Sequence, residues 1–281
     1  MNLQGKTALL PGASRPLGRA IGRCLAKNGV NLILPYYDWP ESSEEMIEEF
    51  SQKNIDCLSL HVDLRDKNQV EDMILAAEDR FHGLDILVNN IERGGMPIIH
   101  GSYNHPHNRD QWQLELDTTL HAKWLLYQNC LPLLRQSGSG CVVNITSIAG
   151  ITGRSGPASI LFSDGYSAAN RAVSSLTETW AREAAPTVRV NELMLGLIDH
   201  RHGRGTRGWA EMGEKEQQKL IDHTLLNRSG SPEEVAQAAL FMIRDSNFMT
   251  GSVLRLDGGF CLGGDRVAEM PDGVLEQEGT S

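Results

Sequence analysis

TALLPGASRPLGRAIGRCLA, residues 7–26, decides how the chain is read. Thr7–Leu10 is a short apolar run. A glycine-bearing turn follows, and an amphipathic stretch, Leu17–Asn28, opens directly from it. The N-terminus of such a helix offers unpaired N–H groups and the positive end of the helix dipole, a setting suited to a diphosphate group. A glycine turn alone is a weak signal, but a strand before it and a helix after it make it a specific one.

Working outward, the same alternation continues to the other end of the chain. Candidate strands are Thr7–Leu10, Asn31–Leu34, Cys57–His61, Ile86–Asn89, Cys141–Ile145, Val188–Leu193 and Val253–Leu256. Between them lie helical patterns at Leu17–Asn28, Ser43–Lys53, Lys67–Phe81, Asp110–Leu134, Ser163–Glu183 and Pro232–Arg244. Strands that are apolar throughout and separated by helices predict a parallel sheet covered on both faces. Right-handed crossovers then give a single doubly wound α/β domain, a Rossmann fold of about seven strands over residues 1–263. Residues 264–281 are a polar, acidic tail with little to bury, expected to be loose or to dock on a neighbouring subunit. Residues 196–230 form a Gly- and Arg-rich excursion before the last helix.

Composition narrows the classes. The 281 residues include 40% hydrophobic and 22% charged side chains, enough for a sizeable core. A formal charge of -10 argues against a nucleic-acid binder, which would present a basic face. Cys24, Cys57, Cys130, Cys141 and Cys261 show neither C-x-x-C nor metal-type spacing and read as small apolar residues in a reducing compartment. With no evident signal peptide and no run of about 18 apolar residues, a cytoplasmic protein without a membrane span is expected.

The turn at Gly12 and Gly18, the Asn89-Asn90 pair after the fourth strand, the VVNITSIAG strand ending near Ser147, the GYSAANRAV helix and the closing LDGG together resemble the short-chain dehydrogenase/reductase family, in its 3-oxoacyl-carrier-protein-reductase-like form. The resemblance runs from Leu3 to about Gly264. It implies dinucleotide contacts from Gly12, Ser14, Arg15, Leu17, Gly18, Tyr36, Asp63, Leu64, Asn89 and Asn90. Pro11 and Pro16 depart from the family's T-G-x-x-x-G-x-G. Pro16 removes one backbone donor, yet a proline at the first helical position has a suitable φ, and that N–H lacks an intrahelical partner anyway.

An acidic residue ending the second strand would accept a ribose 2′-hydroxyl and repel a 2′-phosphate. Tyr36 stands there, and Arg15 offers a cation, so NADP is favoured over NAD. Asp38 argues the other way, and NAD stays open. Glu92 brings a carboxylate to a position where the family has glycine.

The family's catalytic tyrosine and serine map to Tyr166 and Ser147. Asn170, four residues on and so on the same helix face, replaces the family's lysine, and Thr119 stands in place of its asparagine. An ammonium about 4 Å from a developing phenolate is worth about 4 kcal/mol at an effective dielectric of ~20. That equals roughly three pKa units, so loss of the lysine penalises alcohol oxidation, which needs a tyrosinate, more than carbonyl reduction. Arg171 would point away from the cleft. Lys123, one turn beyond Thr119, reads as a solvated lysine, with a reach into the cleft as the lesser option.

Arg201, Arg204 and Arg207, with His200 and His202, lie where the family has a substrate-covering loop, and suggest an anionic substrate or an acyl thioester. His100, His105 and His107 read as surface histidines, and no metal site is expected. The resulting expectation is an NADP(H)-dependent oxidoreductase that reduces a small carbonyl more readily than it oxidises an alcohol. A catalytically impaired relative that binds dinucleotide as a sensor or partner subunit is the alternative, and a non-redox enzyme reusing Tyr166 and Ser147 is a third. The family also implies a homodimer or homotetramer formed through the two long helices. Trp124, Leu125 and Trp180 are readable either as that surface or as core.

Overall fold

Seven buried runs line up as one parallel sheet in the computed structural model, which describes residues 1–94, 96–265 and 267–271. The chain begins β1 (Thr7–Leu9), α1 (Pro16–Lys27), β2 (Asn31–Tyr36), α2 (Pro40–Ser51), β3 (Cys57–His61), α3 (Lys67–Phe81) and β4 (Ile86–Asn89). A one-turn α4 (Pro97–His100), α5 (Gln111–Leu116), a π-helical turn (Asp117–His121) and α6 (Ala122–Gln136) follow. The second half runs β5 (Gly140–Ser147), α7 (Ala149–Thr152), α8 (Asp164–Ala184), β6 (Val188–Leu195), α9 (Arg207–Ala210), α10 (Glu214–His223), α11 (Pro232–Arg244) and β7 (Val253–Leu256).

The sheet order is β3-β2-β1-β4-β5-β6-β7. Strand order therefore reverses at β1, where Leu9 pairs with Ile33 of β2 on one side and Leu87 of β4 on the other. In a doubly wound sheet this switch point opens a crevice at the carboxyl ends of the strands, and ligands bind there.

Successive strand residues face opposite sides, so each run feeds two cores. Leu10, Leu32, Leu34, Val88 and Val143 pack with Ile21 and Leu25 of α1 and Val235 and Leu240 of α11. Leu9, Ile33, Leu87 and Val142 pack the other way, with Met73 of α3, Leu126 and Tyr127 of α6 and Trp180 of α8. Complete burial of one such side chain is worth about 1.5–3 kcal/mol. Helix ends are fixed by side chains: Asp66 caps α3, Ser163 caps α8, and Ser231 with Glu234 forms a capping box on α11.

Several expectations change. The helix predicted over Asp110–Leu134 is broken by the π turn, which holds Thr119. The excursion 196–230 is not an open loop, because α9 and α10 lie within it and Ile198 bridges back to Arg201 and to Gly230. Trp209, Met212 and Leu220 from it join Phe162, Tyr166 and Phe260 in a third apolar cluster. Of the three residues left between surface and core, Leu125 and Trp180 are buried and Trp124 is exposed. Tyr127 and Trp180 stack with ring centroids 4.2 Å apart, which fastens α6 to α8. Most of the tail, residues 266 and 272–281, lies outside the described residues. No helix among those described is long and apolar enough to cross a membrane.

Candidate active site

At the first strand–helix junction, the glycines are required by space. Gly12 has φ +73°, and a Cβ there would sit 2.8 Å from the Asn90 carbonyl oxygen. A Cβ on Gly18 would overlap the Gly12 carbonyl oxygen and lie 2.9 Å from the Ala13 nitrogen. Pro16 occupies the first turn of α1, as its fixed φ allows. Asn90 ties β4 to the turn through Nδ2 to the Pro11 carbonyl, 3.2 Å. This bare-backbone cradle at a helix N-terminus fits a dinucleotide pyrophosphate. Ser14 and Leu17 in the turn are buried.

At the adenosine end, the Arg15 guanidinium lies over the Trp39 ring, 4.4 Å from its centroid. Tyr36 packs edge-on against His61, and Asp38 lies 3.8 Å from Arg93. Asp63 is held by Arg65 at 2.6 Å, which keeps its carboxyl below the usual range. Leu64 is buried beside it. Asn89 is fully buried and faces inward, donating to the Lys123 carbonyl at 3.0 Å and to Asn144 Oδ1 at 3.3 Å.

A second cluster, the candidate catalytic end, is built around Tyr166. Ser163 Oγ accepts from the Tyr166 N–H at 3.2 Å, so the cap that starts α8 also fixes the tyrosine's position on its first turn. The phenol donates to Glu92 Oε2 at 2.8 Å. Arg201 Nη2 donates to the same carboxylate oxygen and approaches the phenol oxygen at 3.4 Å. His202 Nε2 lies 3.1 Å from that oxygen. With the phenol proton committed to Glu92, the imidazole is assigned as the Nε2–H tautomer donating to the phenol oxygen. Tyr166 thus gives one hydrogen bond and sits under two donors.

Burial governs the titration of this group. It pushes the Tyr166 phenol well up, and the Glu92 charge adds to the rise while Arg201 opposes it. His202 is brought down to about 4, first by burial and then by Arg201, so its ring is neutral at physiological pH. Burial disfavours the Glu92 carboxylate, but Arg201, His202 and Lys123 outweigh that and hold it below its ordinary range.

Lys123 corrects the sequence reading. It is fully buried, not solvated, and its Nζ donates to the Ile145 carbonyl at 2.5 Å. Burial lowers its pKa to about 8. Glu192 on β6 is buried too, accepting from Thr146 and from Ser174, and burial raises its carboxyl. Asn170 lies under Tyr166, with Nδ2 donating to the Tyr166 carbonyl at 2.9 Å and Oδ1 buried without a partner. Thr119 exchanges hydrogen bonds with the Arg93 backbone, 3.1 Å and 3.3 Å, so it pins the segment after β4. Ser147 ends β5, and its Oγ accepts from the Ala149 N–H at 3.2 Å.

Of the arginines assigned to substrate, Arg201 is buried at the phenol, whereas Arg204 and Arg207 are exposed, Arg207 3.9 Å from Glu211. Sequence reasoning weighed Arg171 and Lys123 as the replacement cation and missed Arg201, which is the guanidinium that reaches the tyrosine. It placed His202 with the substrate cluster and not at the tyrosine, and gave Glu92 no role beyond its unusual position. The one available signal was the coincidence of a carboxylate at residue 92 with a local basic cluster in an acidic chain. Among the described residues no group of His, Cys, Asp or Glu is arranged to hold a metal, and His105 and His107 stack on each other at 5.4 Å.

A parallel sheet whose order reverses at β1, a glycine turn opening α1 and a buried tyrosine on α8 place the chain in the doubly wound α/β class. The chain belongs to the short-chain dehydrogenase/reductase family, whose members bind NAD(P): the family model described as enoyl-(acyl carrier protein) reductase matches residues 12–261. It is similar to the 3-oxoacyl-[acyl-carrier-protein] reductase of Thermotoga maritima, 28% identical over 93% of this chain and 100% of the relative. Glucose 1-dehydrogenase 2 of Bacillus subtilis is 27% identical over 93% of this chain and 96% of its own. The fold matches that of the NADPH-dependent 3-quinuclidinone reductase from Rhodotorula rubra, with a TM-score of 0.80, 24% identity and 93% of each chain covered.

Proposed function

We propose that the protein is an NADP(H)-dependent reductase of a small carbonyl compound, with Tyr166 as proton donor and Arg201 in the electrostatic role of the family's lysine. The observation that carries this reading is the Tyr166 phenol held neutral beneath Arg201 and His202. A neutral phenol is the form reduction needs, since it must give a proton to the oxygen of the carbonyl. The reduced nicotinamide, when bound, supplies the hydride.

As the proton leaves, negative charge grows on the phenol oxygen. Arg201 and His202 already point donors at that atom, so little reorganisation is needed. A guanidinium at about 4 Å is worth about 4 kcal/mol at an effective dielectric of ~20, comparable to the missing ammonium. Glu92 on the same atom offsets that gain. Turnover therefore requires the carbonyl oxygen to take the place of the Glu92 carboxylate.

Preference for NADP rests on Arg15 at the adenosine end, with Asp38 turned toward Arg93. Assembly into a homodimer or homotetramer is supported by exposed Trp124 on α6, stacked on His121. An acyl thioester is a candidate substrate on the strength of the 3-oxoacyl-carrier-protein reductase relatives.

A second reading has its own observation. Tyr166 is wholly buried, and the Glu92 side chain bridges from the end of β4 to it, across the face where the nicotinamide ribose is expected. A relative that binds dinucleotide as a sensor or partner subunit would look like this. NADPH consumption over a panel of aldehydes and ketones separates the two. Turnover in the wild type, reduced about 10²-fold or more in Tyr166→Phe, is expected. Tight NADPH binding without turnover on any carbonyl would favour the sensor reading instead.

A further inference from the structure

Two of the side chains that meet the Tyr166 phenol carry a buried polar atom with no partner, Arg201 Nη1 and His202 Nδ1. Buried polar groups are nearly always paired, so two unpaired ones on the neighbours of one phenol call for a ligand. Arg201 is the more demanding of them. Its side chain is only 7% exposed, one nitrogen already serves a carboxylate, and the other is left over. A guanidinium presents its donors as a fork whose natural complement is a carboxylate. Glu92 shows what this pocket accepts, for its carboxylate takes the guanidinium and the phenol proton on one oxygen.

We propose, resting on the reductase reading above, that the substrate is a 2-oxo acid: its carboxylate binds Arg201, its keto oxygen receives the Tyr166 proton, and Glu92 is a resident carboxylate that the substrate displaces.

Spacing supports the 2-oxo position. Arg201 Nη2 and the Tyr166 oxygen are 3.4 Å apart, a separation that a carboxylate oxygen and a keto oxygen on adjacent carbons can span. A neutral ketone would leave the Arg201 fork unpaired once Glu92 moved, which a buried cation tolerates poorly. An apolar side chain on the third carbon suits the surroundings, because Phe162, Leu197, Trp209 and Met212 share a buried apolar cluster with Tyr166. Gly94 is also close, where a Cβ would meet His202 and Tyr166 at 3.3 Å and 3.5 Å. In the reaction the keto carbon gains a hydride from the reduced nicotinamide, and the C=O π pair takes the Tyr166 proton. Tyr166 regains its proton from solvent, and a 2-hydroxy acid leaves.

Two measurements on the full chain test this. The first compares kcat/KM with NADPH for a 2-oxo acid, its methyl ester and acetoacetyl-CoA. The acid should exceed the ester by about 100-fold, because a site built to bond a group discriminates strongly against its absence. In Arg201→Met the ratio should collapse toward one, and in Arg201→Lys, which keeps the charge without the fork, it should fall partway. The second is calorimetric titration of oxamate and oxamide, unreactive mimics, into the NADPH complex. Oxamate should bind about 30-fold more tightly than oxamide. Glu92→Gln, which no longer competes, should bind oxamate more tightly still, by about tenfold.

Equal kcat/KM for acid and ester, or preference for the acetoacetyl thioester, overturns the 2-oxo acid while leaving a reductase. Oxamate binding that depends on Arg201, without turnover of any carbonyl, keeps the carboxylate site and ends the reductase reading. Oxamate no tighter than oxamide removes the site.

Discussion

Replacing Glu92 by glutamine isolates the electrostatics of this centre, because shape and the phenol's acceptor are kept and only the charge is lost. Arg201 and Glu92 are both largely shielded, with side-chain exposures of 7% and 18%. At about 4 Å and an effective dielectric of ~20 their attraction is about 4 kcal/mol. Removing one partner of a buried pair leaves the other charge uncompensated, which costs about 3–5 kcal/mol. The stranded guanidinium would also share the interior with the Lys123 ammonium. Glu92→Gln should therefore lower stability by about 3 kcal/mol, read from the urea midpoint at fixed protein concentration. Arg201→Met should do about the same. The double variant should lose far less than the sum, with a coupling of about 2–3 kcal/mol. The pH dependence follows from the direction of the shift. Glu92 titrates lower in the folded chain than in the unfolded one, so its contribution is complete above about pH 4.3 and fades as pH falls through the folded value. The deficit of Glu92→Gln should shrink in step. A variant within about 0.5 kcal/mol of wild type at neutral pH, or a strictly additive double, would refute a formed buried pair.

Three more outcomes follow from the interior charges and the glycine turn. Between about pH 8 and 10.5 the unfolded chain protonates Lys123 and the folded chain does not, so stability should rise with pH by on the order of 3 kcal/mol, and Lys123→Met should flatten that limb. His202 behaves the same way on the acid side: stability should fall by a similar amount as pH drops from about 6.5 to about 4, with His202→Gln flattening the fall. Gly18→Ala should weaken NADPH binding about 10–100-fold by forcing the turn open, with far-UV circular dichroism unchanged; equal affinity would mean the turn is not the pyrophosphate site.

The fold was legible because it is written in local patterns. Runs such as Ile86–Val88 are apolar at every position, and a strand buried on both faces needs no other signal. Gly12 and Gly18 were legible for a related reason: the turn leaves no room for a Cβ, so the residue type itself reports the geometry. Lys123 was not legible. Helical spacing gave its face but not its depth, and a lysine on a long helix is ordinarily solvated.

The sequence by itself determined the sheet, the helices that cover it and the glycine turn that opens α1. It also showed that lysine was missing at residue 170. What surrounds the Tyr166 phenol was decided only by tertiary structure. Glu92 at the end of β4 and Arg201 beyond β6 are 109 residues apart, and folding of the excursion brings them together on the Tyr166 phenol. No periodicity links such positions. Their pairing follows from the energy of burying opposite charges together, which is defined only once the chain has closed around them.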